Sequence, residues 1–204
     1  MTEHFFESIA IRNGCLLNLA LHQERMERTV LDKFKVKTEI SLQDRILLPT
    51  ETKVGLWKCR VSYSTEIHEI RFEVYEMRHP RRVLLLEDPT FEYHYKSENR
   101  QHFAQILANN PQIDDCIFTK NGLLTDSSYA NLAFYDGNHW FTTRQVLLEG
   151  TKRKCLLQKQ VIHETDISLM NLRFFQRIAF LNAMRGLSTS YAFHLQNDYI
   201  VIDP

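Results

Sequence analysis

The chain lacks most of the features that would tie it to a metal, a membrane or a nucleic acid. Its four cysteines, Cys15, Cys59, Cys116 and Cys155, lie far apart with no C-x-x-C pair. That spacing argues against zinc or redox work and reads as reduced thiols of a cytoplasmic protein. The nine histidines are scattered, with no H-x-x-x-H pair, so no metal site is expected. No apolar run approaches the roughly 20 residues that span a bilayer, and the N-terminal MTEHFFESIAIRNG has Glu3 and Glu7 but no basic lead, unlike a secretory signal. With 25 basic and 25 acidic residues the formal charge is zero, which leaves no long-range field to gather nucleic acid or an anionic membrane. There is no G-x-G-x-x-G and no Walker loop, so the doubly wound nucleotide folds are not expected.

What is present is an ordinary folded composition: 204 residues, 44% hydrophobic and 25% charged. That is enough chain to bury a core, as one domain or two small lobes. FFESIAIRNG and CLLNLALH read as two short strands around Arg12-Asn13-Gly14, where Asn-Gly supplies the positive backbone angles of a tight hairpin. From His22, HQERMERTVLDKF places Met26, Val30 and Phe34 on one face, which predicts an amphipathic helix. A second short helix is expected from Ser41, as N-cap, to Leu48, with Pro49 beyond it. GLWKCRVSYS and HEIRFEVYEM predict a hairpin through Ser64-Thr65-Glu66. A composition shift at MRHPRRVLLLEDP places a boundary there, giving a small N-terminal lobe (1–80) and a larger C-terminal one (81–204). Beyond it, SENRQHFAQILANN reads as a helix. DDCIFTKNGLLTDSSYANLAFYDGNHWFTT reads as three strands, GTKRKCLLQKQV as a helix opened by a glycine, and ISLMNLRFFQRIAFLNA as a short helix and a strand. The expected class is α+β: an antiparallel N-terminal sheet with helices, then a mixed α/β lobe.

Three places carry chemistry. Lys96 precedes the first turn of a predicted helix, where a cation is mildly disfavoured by the helix dipole. Thr125-Asp126-Ser127-Ser128 is a turn bearing an acid. Gly150-Thr151 opens a helix, exposing backbone N–H groups that favour a phosphate. A lysine, an acid and a phosphate-binding helix start are together what a pyridoxal phosphate site requires.

The order K-x-x-N-R, D-x-I-F-T-x-N-G-L-L-T-D-S-S-Y-A-N-L-A-F-Y-D-G and L-L-E-G-T-K-R resembles the class IV aminotransferase family. That family includes D-amino acid and branched-chain aminotransferases and 4-amino-4-deoxychorismate lyase. The likeness runs from about Phe5 to Asn182 and implies the D-amino acid aminotransferase-like fold, pyridoxal 5′-phosphate as cofactor and a homodimer. It makes Lys96 the Schiff-base lysine and proton carrier, and Asp126 the partner of the pyridine nitrogen where the family usually has glutamate. Asn131 closes that motif, with Ser128 and Tyr129 near the cofactor. Gly150, Thr151 and Lys152 match the segment that holds phosphate, and HQERMER makes Arg25 the phosphate-binding arginine. The family's G-D-G segment before F-E-x-I is missing, so the expected site is more open or is completed by a partner subunit. K-x-x-N-R, with Arg100 as a second cation, is closer to the lyase than to either aminotransferase, and Arg60 and Tyr63 are further substrate candidates. The expectation is therefore a lyase that acts on a small amino substrate, releasing pyruvate from 4-amino-4-deoxychorismate to leave 4-aminobenzoate for folate synthesis. The alternatives are an amino acid aminotransferase and, as a minor reading, a non-catalytic cofactor-binding protein.

Overall fold

A computed structural model describes residues 3–187 and 192–194, and the backbone of 200–202. The chain divides into two compact units, Met1–Met77 with Tyr95–Asn99, and Arg78–His94 with Arg100–Pro204. A single crossing near residue 80 was expected; instead a five-residue strip returns to the first unit before the second continues.

The first unit is a four-stranded antiparallel sheet in the order β2-β1-β3-β4. Its strands are β1 (Phe5–Arg12), β2 (Cys15–Leu16), β3 (Leu56–Tyr63) and β4 (Ile67–Val74). Asn13 and Gly14 turn the β1–β2 corner at φ 48° and 78°, as the Asn-Gly pair predicts. The strand expected over CLLNLALH is short because Asn18, at φ 53°, ends it, and helix α1 (Leu19–Phe34) begins at once. From there the helical spacing of His22, Met26 and Val30, rather than strand alternation, decides which side chains are buried. Helix α2 (Leu42–Arg45) is capped by Ser41, whose Oγ accepts from Asp44 N at 3.3 Å. It stops short of Leu48 because Ile46 turns extended and enters the same core. That core joins Phe5, Ile9 and Ile11 of β1 to Cys59, Val61 and Tyr63 of β3 and to Met26 and Val30 of α1.

Tyr95–Asn99 lies beside β1. Ser97 bridges Phe5, Phe6 N donates to Lys96 O at 2.9 Å, and Glu98 N donates to His4 O at 2.9 Å. These backbone bonds explain why the helix expected from Ser97 starts later, as α3 (Gln101–Asn109).

The second unit is built on a mixed sheet. Its strands are β5 (Val83–Glu87), β6 (Asp115–Lys120), β7 (Leu123–Ser127), β8 (Asn131–Tyr135), β9 (Trp140–Thr143), β10 (His163–Thr165), β11 (Arg177–Leu181), β12 (Phe193–His194) and β13 (Ile200–Ile202). The order is β10-β9-β8-β7-β6-β5-β13, with β11 paired to β8 and carrying β12. The pairs β5–β6, β5–β13 and β9–β10 are parallel and the others antiparallel. Where three strands were expected between Asp115 and Thr143 there are four, because a turn splits TDSSYANLAFY and Ser127 N donates to Ala130 O at 2.8 Å. Helix α4 (Thr151–Gln158) follows β9. Phe118, Phe134 and Phe180 are wholly buried on the sheet, each contributing about 1.5–3 kcal/mol of apolar burial. The result is an α+β fold with a small antiparallel sheet and a larger mixed one. Among the described residues no helix is long and apolar enough to cross a membrane.

Candidate active site

In the first unit, strand alternation sends Phe5, Glu7, Ile9 and Ile11 to the face that α1 covers. Glu7 is therefore fully buried, at 0% exposure. Arg25 Nε donates to its Oε1 at 2.9 Å and Arg25 Nη2 to its Oε2 at 2.5 Å, while His22 Nδ1 donates to Oε2 at 2.6 Å. Burial alone would raise this carboxyl, but the Arg25 charge and the hydrogen bonds from His22 and Arg25 carry it down to about 2. His22 is pushed below its usual range by burial; Glu7 opposes the shift, and the charges of Arg25 and Lys96 reinforce it. So Arg25 is fixed in a plane by a bidentate carboxylate, next to a neutral imidazole that also lies within electrostatic reach of Lys96.

Lys96 stands on the opposite face of the same sheet. Its backbone pairs with Phe6, and its Nζ is 4.6 Å from the centroid of that ring. The Arg60 guanidinium lies 3.7 Å from the same centroid. Arg60 Nη2 donates to Glu98 Oε1 at 2.9 Å, and Ser62 Oγ donates to the same oxygen at 2.6 Å. Arg60, Ser62, Glu98 and Lys96 thus make a polar group around one aromatic ring. Tyr63 is not part of it. One residue further along β3 from Ser62, it faces the α1 side, where it is 0% exposed and packs 6.2 Å from Phe5.

In the second unit, Asp126 ends up inside. It is 3% exposed, and its Oδ2 accepts from Leu147 N at 2.9 Å and Leu148 N at 2.8 Å, while Oδ1 accepts from Asn131 Nδ2 at 2.7 Å. Burial pushes its carboxyl up to about 6, the hydrogen bond from Asn131 and the Leu148 amide opposing. Asn131 Nδ2 also donates to Leu148 O at 2.8 Å. A Cβ on Gly150 would stand 1.9 Å from Asn131 Oδ1, so only glycine fits this approach. Asp126, Asn131, Gly150 and Thr151 are therefore brought together.

Ser128 and Tyr129 occupy the turn between β7 and β8. Ser128 is buried, and the Tyr129 ring stacks on Phe180 at 5.9 Å. Arg100 supports that turn: its guanidinium donates to Tyr93 Oη at 3.1 Å and to Ser128 O, and lies 4.3 Å from the Phe103 ring. Lys152 extends toward Gly186. Arg153, which the sequence did not single out, is buried; its Nη2 donates to Thr143 O at 2.9 Å and to Glu164 Oε1 at 2.5 Å.

The phosphate end of the expected cofactor suits these residues. Helix α4 has no side-chain N-cap and no acid in its first turn, and Lys152 adds a cation there. That pattern disfavours a helix on its own and favours one that receives an anion. At the ring-nitrogen end the Asp126 carboxylate accepts three protein hydrogen bonds, two on Oδ2 and one on Oδ1.

Glu7 and His22 were not among the expected site residues. The signal was there in β1: an acid at the same phase as Phe5, Ile9 and Ile11 has to be buried, and a buried carboxylate needs a cation.

A family model described as amino-transferase class IV matches residues 4–189. An uncharacterized Haemophilus influenzae protein is 34% identical over 184 residues, 89% of this chain and 98% of the relative. A crystal structure from Haemophilus somnus, provisionally named as a 4-amino-4-deoxychorismate lyase, is 28% identical with a TM-score of 0.82, covering 92% of this chain and 99% of that one. The pyridoxal phosphate-bound form of a hypothetical aminotransferase from Mycobacterium tuberculosis has a TM-score of 0.76 at 14% identity, covering 98% of this chain and 81% of that one.

Proposed function

The chain belongs to the class IV amino-transferase family, whose cofactor is pyridoxal 5′-phosphate, and from that premise we propose that it is a 4-amino-4-deoxychorismate lyase. The observation that carries this reading is the likeness, at 28% identity along nearly the whole of both chains, to the Haemophilus somnus protein provisionally named for that activity. When bound, pyridoxal phosphate supplies an electron sink at the amine-bearing carbon of the substrate. Lys96, whose ammonium rests against Phe6 on the polar face of its sheet, is the residue we assign to carry the cofactor. It removes the proton from the ring carbon bearing the substrate amine, and the enolpyruvyl C–O bond at the neighbouring carbon then breaks. Protonation of the departing enolpyruvate at its methylene carbon gives pyruvate, and the ring is left as 4-aminobenzoate.

Arg25, held flat by Glu7, and the Gly150-Thr151-Lys152 helix start are assigned to the phosphate. Arg60, oriented by Glu98, is assigned to a substrate carboxylate. Arg100 donates to a backbone carbonyl and to Tyr93, which supports a role in holding the Ser128–Tyr129 turn in place of the substrate contact first expected.

The test is product analysis. Purified enzyme loaded with pyridoxal phosphate is incubated with 4-amino-4-deoxychorismate, and separately with D-alanine or leucine plus 2-oxoglutarate. Pyruvate and 4-aminobenzoate without glutamate is the expected result; glutamate formation from the amino acids makes the protein a transaminase instead.

A further inference from the structure

The carboxylate of Asp126 sits where the family resemblance would have it face a ring nitrogen, yet its hydrogen bonds point into the protein. Its Oδ2 gathers the adjacent amides of Leu147 and Leu148, and its Oδ1 takes one hydrogen of the Asn131 side-chain amide. The other end of that amide is just as constrained: Asn131 Nδ2 also reaches Leu148 O, and Asn131 Oδ1 abuts the backbone of Gly150 so closely that a methyl there would lie at 1.9 Å. Leu147 and Leu148 lead directly through Glu149 into Gly150 and the first turn of α4. Two consecutive amides on one buried carboxylate oxygen fix the orientation of both peptide planes, and the Asn131 amide fixes where the next residues lie.

We propose that Asp126 is a positioning residue: it fastens the Leu147–Leu148 backbone and the Asn131 amide, and so sets the Gly150-Thr151 helix start that receives the phosphate of the cofactor. This rests on the reading of that helix start as a phosphate site. A side chain one methylene shorter than glutamate keeps its carboxylate close to its own strand, within reach of the loop. Asp126 then contributes to cofactor binding through the phosphate end of the site as well as through any contact of its own. Asparagine at this position keeps an oxygen for the two amides, whereas alanine releases them.

The experiment compares pyridoxal 5′-phosphate with pyridoxal, which lacks the phosphate, in wild type, Asp126→Ala and Asp126→Asn, and follows amide exchange at Leu147 and Leu148 without cofactor. The expected result for Asp126→Ala is faster exchange at both amides and a preference for the phosphorylated form reduced by about tenfold or more, the worth of one hydrogen bond to a charged group. Asp126→Asn should keep both amides slow, but it sets a side-chain NH2 against Asn131 Nδ2, so its preference should fall between those of wild type and Asp126→Ala. Where Asp126→Ala does not fold, Asn131→Ala, which unties Gly150 from the same network, should reduce the preference in the same way. Equal weakening of both ligands, with unchanged exchange at Leu147 and Leu148, overturns the proposal and leaves the cofactor assignment standing. Failure of the wild-type protein to bind pyridoxal phosphate, or to prefer it over pyridoxal, overturns the phosphate-site reading itself.

Discussion

Replacing Glu7 with glutamine should expose how the first unit is held together. Glu7 is fully buried, and its carboxyl is carried from 4.5 to about 2. A displacement of that size couples ionised Glu7 to the folded state by roughly 3 kcal/mol at about 1.36 kcal/mol per pKa unit. Breaking one side of a buried ion pair costs about 3–5 kcal/mol, because the remaining charge is left without its partner. The two routes agree, so Glu7→Gln should lose about 3 kcal/mol at neutral pH. The sign is set by the depressed pKa: the stabilisation is complete above the unfolded value and is lost as pH falls from 4.5 through about 2. Urea unfolding followed by far-ultraviolet circular dichroism, repeated from pH 7 down to pH 2, should show the wild type converging on the variant at the acid end. A variant within about 1 kcal/mol of wild type at pH 7, or a gap unchanged at pH 2, would refute the argument that Glu7 is ionised and held by Arg25.

Asp126 should give the opposite slope. Its carboxyl is raised from 3.8 to about 6 by burial, so the folded state keeps a proton that the unfolded chain has lost. The stabilisation from this group is present below 3.8 and disappears as pH rises to about 6, and urea unfolding of Asp126→Asn should lack that decline. Gly150→Ala drives a Cβ to 1.9 Å from an Asn131 oxygen that is not free to swing; a loss of about 1–3 kcal/mol in thermal unfolding is expected, with weaker pyridoxal phosphate binding. Lys96→Ala removes a half-buried side chain from a polar face, so the fold should survive unchanged while borohydride no longer fixes the cofactor to the protein. Retention of borohydride-stable label in that variant would move the covalent role to another amine.

The family was legible in the sequence because its marks are short and local. K-x-x-N-R, the run from Thr125 to Asn131 and the glycine before α4 each fall within a few residues, and so do the Asn-Gly turn and the face of α1. Local spacing also set most strands and helices. What it could not supply was partners. Ser97 was read as helical because nothing nearby shows that it bridges Phe5 in a strand far upstream. Tyr63 looked available until the register of β1 and β3 turned it inward. The same limit governs the two buried acids. That Glu7 and Asp126 are carboxylates is a property of the sequence, but their state depends on groups 15 to 22 residues away: His22 and Arg25 for the first, Leu147 and Leu148 for the second. A buried charge takes its pKa and its role from the donors that surround it, and chain folding alone brings those donors into place.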